Sequence, residues 1–303
     1  MGGAYSNYIV KQRLLLFVTI FVQLTVIFVI AKCAFVLVNA SVYKGIGFDG
    51  FAAVVWHGLP MDFSMAGYLT LLPGLMLAAS GAVASLRWVR TFSIILKCVL
   101  VVEALVIALA VSADAMLYPY WGFKLDTTPL FYFMSSPEAA MASGGTGGGL
   151  AMTSILFALF TALLLMWTKF VPLVPVKGAP MERVRVAAVM LLCTGALFLP
   201  IRGGLTVSTM NLSRAYFSSD TRMNHAAVNP LFSFMYSASH QSGFDSQFDY
   251  FTLDRAADIL SGSERACIGD TIAAPVLSTT RPDIYLVILE SFSAHLMPSL
   301  GGS

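Results

Sequence analysis

Near the end of the chain, Arg281, Pro282 and Asp283 lead into the run Ile284, Tyr285, Leu286, Val287, Ile288, Leu289, which stops at Glu290, Ser291, Phe292 and Ser293. Six apolar residues rich in branched and aromatic side chains predict a strand buried on both faces. Open α/β sheets place their ligands at the carboxyl ends of such strands. A carboxylate there is a hard oxygen ligand for a metal ion; the other reading of Glu290 is an acid that stabilises a helix terminus through the dipole. Ser291 suits the cap of a helix over Ser293 to Met297, and Ser293 and His295 suit the solvated or packing faces of that helix, so none of the three is assigned as nucleophile or ligand.

Other polar residues carry weaker chemistry. Lys124 and Asp126, with Thr127 and Thr128, follow Gly122 and predict a solvated salt bridge of little energetic value; the substrate contact open to Lys124 is a lipid headgroup. Just before them, Tyr118, Tyr120, Trp121 and Phe123 form a cluster expected to sit in the aromatic belt of a membrane interface. His57 and Asp62 are two metal-ligand types with no third in reach, and are expected to be loop polarity. Five glycines between Ser143 and Gly149 mimic a phosphate-cradling loop, but no strand precedes them and no lysine follows, which leaves a flexible lead. Lys32 and Lys97 lie near span ends and are expected to snorkel, whereas Glu103 lies deeper and has no such outlet.

The elements that must position these residues follow from composition. The 303 residues are 57% hydrophobic and 11% charged, against about 25% charged in soluble domains, so lipid solvates part of the chain. A net charge of +2 without a basic patch excludes nucleic acid as a partner. Cys33, Cys98 and Cys193 fall in apolar runs and only Cys267 does not, which gives neither a disulfide framework nor zinc spacing. Apolar runs predict five spans, Leu14 to Val38, Met65 to Leu86, Phe92 to Val111, Leu150 to Trp167 and Val184 to Leu199. The first is too long for the apolar core of a secretory signal.

Charge sets an expected orientation. One set of flanks holds Lys11, Arg13, Arg87, Arg90, Lys169, Lys177, Arg183 and Arg185, with Glu182 as its one acid; the loops Asn39 to Ser64 and Ser112 to Gly149 hold Lys44 and Lys124 with five acids. Eight basic residues against two place the N-terminus in the cytoplasm and Ile201 onward outside. The segment from Ile201 to Thr280 is polar with short apolar stretches, Asn211 to Phe217 and Leu231 to Tyr236, a helix start at Asn229 and Pro230, and a further helix over Asp254 to Leu260. Too long for a bare tether, it reads as an external helical linker.

This layout, with Tyr120, Trp121, Gly122 and Asp126, with Ile201 to Gly204, with Asn224 to Ala227, Asn229 and Pro230, and above all with Arg281 to Phe292, resembles the lipoteichoic acid synthase family. These are phosphoglycerol transferases of the alkaline phosphatase and sulfatase superfamily. The resemblance implies a five-span α-helical domain over residues 1–200, a helical linker over 201–280, and at 281–303 the first strand of an external α/β domain. It assigns Glu290 as a ligand of a catalytic divalent metal, for which a carboxylate oxygen favours manganese or magnesium over zinc. The nucleophilic hydroxyl and the remaining ligands are expected beyond Ser303, so that this chain is the membrane portion of a longer, bacterial inner-membrane enzyme and is inactive alone. Its partners would be a phospholipid headgroup donor, of phosphoglycerol or a related group such as phosphoethanolamine, and a glycan or lipid acceptor, joined through a phospho-enzyme intermediate. A sulfuric-ester hydrolase of the same superfamily and a non-catalytic membrane anchor are the alternatives. Sulfatases pair two aspartates at this strand end and carry a Cys-x-Pro-x-Arg motif, and neither feature is present.

Overall fold

The computed structural model describes residues 2–135, 146–177, 179–205, 207–240 and 250–267. The described residues form helices, turns and coil, with no strand among them. The chain divides into two compact units, residues 1–241 and 242–303. In the first unit, α1 (Gly2–Val38), α2 (Phe48–Gly81) and α3 (Leu86–Trp121) are followed by a short α4 (Thr128–Ser135), then by α5 (Thr146–Phe170), α6 (Pro180–Ala196) and α7 (Phe198–Arg202). Five helical stretches, α1, α2, α3, α5 and α6 continued by α7, are long and apolar enough to cross a membrane.

Periodicity explains why they bundle. Leu24, Ile27, Phe28, Ala31 and Phe35 of α1, Leu100, Ala104, Ile107 and Val111 of α3, and Leu156, Phe160 and Leu164 of α5 recur at helical spacing and share one buried core. The opposite faces are apolar too, with Val18, Val22 and Val26 exposed on α1 and Val102, Val106 and Leu109 on α3. Helices hydrophobic on both faces are compatible with a bundle that crosses a membrane. In the core α3 packs on α5, and α2 packs on α1 and α6.

Three of the helices overrun their apolar runs. At about 1.5 Å per residue, α1, α2 and α3 are each roughly 50 Å or longer, against about 30 Å of hydrocarbon. Lys11 and Arg13 flank the apolar run from within α1, and the excess corrects two expectations: the stretch from Phe48 to Ser64 is the first half of α2 rather than loop, and Ser112 to Trp121 completes α3 rather than opening a loop. Helix α3 ends at Gly122, whose φ of 70° is left-handed and whose N–H returns to Tyr118 O. At the end where α1 begins, Arg13 is 1% exposed and donates to Ser80 Oγ, Ser80 O and Val174 O. A guanidinium thus caps the carbonyl end of α2 instead of standing in the interface.

At the other end the expected linker helices form and fold back on the spans. A 3₁₀ turn (Leu212–Ala215), α8 (Thr221–Ala227) and α9 (Pro230–His240) follow Gly204. Asp220 caps α8 by accepting from Arg222 N, and Asn229 caps α9 by accepting from Leu231 N and Phe232 N, with Pro230 opening the helix. The 3₁₀ turn and α8 rest on α2, while α9 rests on α3. Gly58 allows the closest approach: a Cβ there would lie 2.5 Å from Ala227 O and 2.4 Å from Lys32 Cε. In the second unit α10 (Leu253–Cys267) covers the expected Asp254 to Leu260 helix. The expected strand Ile284 to Leu289, with Glu290, Ser291, Ser293 and His295, lies outside the described residues.

Candidate functional site

Polar side chains converge where α1, α2 and α3 meet the 205–240 segment. Lys32 near the end of α1 is 2% exposed and Asp62 on α2 is 0% exposed. The Lys32 Nζ lies 2.5 Å from each Asp62 oxygen, and Asn229 Nδ2 donates to Asp62 Oδ1 at 2.9 Å. Asn229 therefore links the carboxylate to the start of α9. Two expectations are corrected here: Lys32 does not snorkel, and Asp62 is not loop polarity. An aspartate on the neighbouring helix supplies the countercharge that the interface would otherwise provide, and burying either ion alone costs several kcal/mol, on the order of what a pair recovers.

A second pair lies nearby, between α3 and the loop that follows it. Lys124 Nζ donates to Asp114 Oδ2, Leu125 N donates to Asp114 Oδ1 at 3.0 Å, and Nζ sits 3.8 Å from the Phe35 ring centroid. The expected solvated pair with Asp126 is not formed. Asp126 instead accepts from Thr128 N and Thr128 Oγ1 at the start of α4. The turn made by Gly122 sends Lys124 back over the last turns of α3, where Asp114 is the nearer acid.

The aromatic cluster divides. Tyr120 is 85% exposed, as an interfacial residue would be, but Tyr118 is buried. Its hydroxyl lies 3.0 Å from His225 Nδ1 on α8, and its ring meets Phe35 edge-on at 4.9 Å. Tyr43 stacks beside it and donates to Arg222 O. Burial, with help from Tyr118 and nearby acids, pushes the Tyr43 phenol up, so it remains a donor. Burial and then the Lys124 charge hold His225 below the ordinary imidazole value. Burial pulls Lys124 down, with Asp114 opposing.

Between α9, the 3₁₀ turn and the loop after α3 is a cleft of about 210 Å³. Its polar lining comes from Lys124, Asp126, Tyr216, His225, Ser233 and Ser237. Of the residues expected to do chemistry, Lys124 is here and Glu290 is outside the described residues. His57 and Asp62 are not brought together: His57 stacks on Phe217 with centroids 4.4 Å apart, and Asp62 faces Lys32. Among the described residues no three His, Cys, Asp or Glu side chains cluster as a metal ion would require. Glu103 on α3 is 9% exposed and its Oε2 has no hydrogen-bond partner. Asp114, expected as a loop acid, lies on α3, and His225 enters the expectations only within the Asn224 to Ala227 stretch of the resemblance, with no role of its own. A signal exists for Asp114: the buried residues Val111, Ala115 and Tyr118 keep helical spacing beyond the apolar run, and Asp114 falls on the same face. Local composition does not reveal the contact of His225, because its partner lies on a helix more than a hundred residues earlier.

No protein family, curated protein or solved structure matches the chain.

Proposed function

We propose that this chain is the membrane portion of a transferase that moves a phosphoglycerol-type headgroup from a phospholipid to an extracytoplasmic acceptor. One observation carries the reading: a six-residue apolar run ending in Glu290 and Ser291 follows five helices long and apolar enough to cross a membrane. An acid at a strand end is where an α/β domain presents a ligand. Tethering that domain beside a bilayer suits a substrate that is itself a lipid. The N-terminus is cytoplasmic, the 205–240 segment and all that follows are outside, and the membrane is a bacterial inner membrane. Glu290 is one ligand of a divalent ion, magnesium or manganese, that activates a hydroxyl nucleophile.

The test uses the complete protein in vesicles containing phosphatidylglycerol labelled in its headgroup. Glu290→Ala is expected to abolish metal-dependent transfer, by about 10³-fold or more on the scale of losing a principal transition-state contact, while membrane insertion is unchanged. Full transfer by the variant would overturn the assignment of Glu290. Hydrolysis of an aryl sulfate with no headgroup transfer would favour the sulfatase alternative.

A further inference from the structure

The cleft beside Lys124 keeps hydrogen-bonding capacity that the fold does not consume. Lys124 carries three donor hydrogens, of which Asp114 takes one, and its position is set by the Phe35 face and by the Asp114 carboxylate that Leu125 N also engages. His225 uses Nδ1 toward Tyr118 and keeps Nε2. Beside these donors stand the hydroxyls of Tyr216 and Ser233 and the Asp126 carboxylate. Such a set suits one anionic group attached to a small hydroxylated fragment. At about 210 Å³ the space lies below the roughly 300 Å³ at which pockets for larger ligands begin, which favours a headgroup over a nucleotide.

The surroundings point to a lipid as the source. Lys124 lies three residues past Trp121, the last residue of α3. Helix α4 begins four residues after Lys124, has no buried residue, and exposes Leu130, Tyr132, Phe133 and Met134. Phe123, on the cleft wall, and Tyr120 are exposed as well. An apolar and aromatic surface at a span end belongs in the bilayer interface, at the depth of headgroups.

We propose that the cleft binds the anionic phosphodiester headgroup of a membrane lipid, with Lys124 and His225 at the phosphate and Tyr216, Ser233 and Asp126 at the headgroup hydroxyls. Its role as the entry site for a donor rests on the transferase reading above; the binding does not. The experiment uses the protein carrying Glu290→Ala in neutral detergent micelles, titrated with dihexanoyl phosphatidylglycerol, dihexanoyl phosphatidylcholine, glycerol 3-phosphate and inorganic phosphate. Saturable binding of phosphatidylglycerol is expected, at least about tenfold tighter than of phosphatidylcholine, which lacks the hydroxyls that Asp126 accepts from, and than of either soluble phosphate, which lacks the acyl chains. Lys124→Gln is expected to weaken it about tenfold or more. Because that substitution also disturbs a buried pair, Tyr216→Asp is the second variant: Tyr216 is 51% exposed, so the fold survives, and the added negative charge at the cleft is expected to weaken binding similarly. No binding, equal binding of phosphatidylcholine, or unchanged binding by folded Tyr216→Asp would overturn the site. Glycerol 3-phosphate binding as tightly as the lipid would overturn the lipid as its source. Headgroup binding by a protein that never transfers it, with Glu290 intact, would overturn the transferase reading and leave the site standing.

Discussion

Lys32 and Asp62 form the most deeply buried ion pair among the described residues, and their energetic role differs from what their proximity suggests. Desolvating two ions consumes most of the Coulomb energy gained, so the pair adds little net stability over two apolar residues of similar volume. Its effect is to make the position of each partner obligatory. With Asp62 replaced by Ala, Lys32 has no countercharge and Asn229 loses its acceptor, and a loss of about 3 to 5 kcal/mol is expected. The double variant Lys32→Met with Asp62→Leu should recover most of that loss. Denaturant unfolding of the single and double variants in detergent checks this; a double variant no more stable than Asp62→Ala would show that the pair stabilises outright. The pairing is legible in the sequence only in part. Both residues stand out as charges beside apolar runs, but Asp62 and His57 lower the local hydropathy and so give the stretch the look of a loop. Helix α2 continues through them because Lys32 neutralises the acid from α1, a contact across thirty residues that local composition does not reveal.

At the scale of elements, α8 rests on α2 and meets α3 through His225. It faces Tyr118 and Asp114 from α3 and Lys124 from the following loop, and burial followed by the Lys124 charge lowers its pKa. A depressed imidazole binds fewer protons in the folded than in the unfolded chain. Its contribution is therefore fully present above about pH 6.5, the unfolded value, and is lost as pH falls toward the lower folded value. Amide exchange across Thr221–Ala227, corrected for the intrinsic rate, is expected to accelerate from about pH 7.5 to about pH 5 in the native protein, a window that brackets the unfolded imidazole value. The acceleration should be smaller in His225→Gln. Equal acceleration in both would remove His225 from the docking of α8. The elements differ in how far local sequence betrays them. Asn229 and Pro230 announce α9 through capping chemistry, and Leu150 to Trp167 announces α5 through hydropathy alone. The end of α3 is hidden because Ser112, Asp114 and Tyr118 are polar residues, and the partners of the last two, Lys124 and His225, come from later in the chain.

Across the first unit, the two ends of the bundle treat their charges differently, and this bears on which end faces the cytoplasm. Where the 205–240 segment lies, Lys32, Lys124 and Arg222 are each held by an aspartate. At the other end Lys11, Arg87 and Arg90 are exposed, and Arg13 is withdrawn into carbonyls. Orientation follows the lysines and arginines that remain in short flanks, and acids contribute little to it. Counting Arg13 out still leaves seven of the eight basic flank residues on the N-terminal side, so withdrawing it does not reverse the bias. In a background without native cysteines, Lys44→Cys in intact cells is expected to react with a membrane-impermeant maleimide, and Arg87→Cys only after the membrane is opened. Both side chains are exposed, so a lack of reaction reports the membrane rather than burial. The reverse pattern would place the cleft at Lys124 and the segment leading to Glu290 in the cytoplasm, where an extracytoplasmic acceptor is out of reach, and the proposed transfer would fall with the orientation.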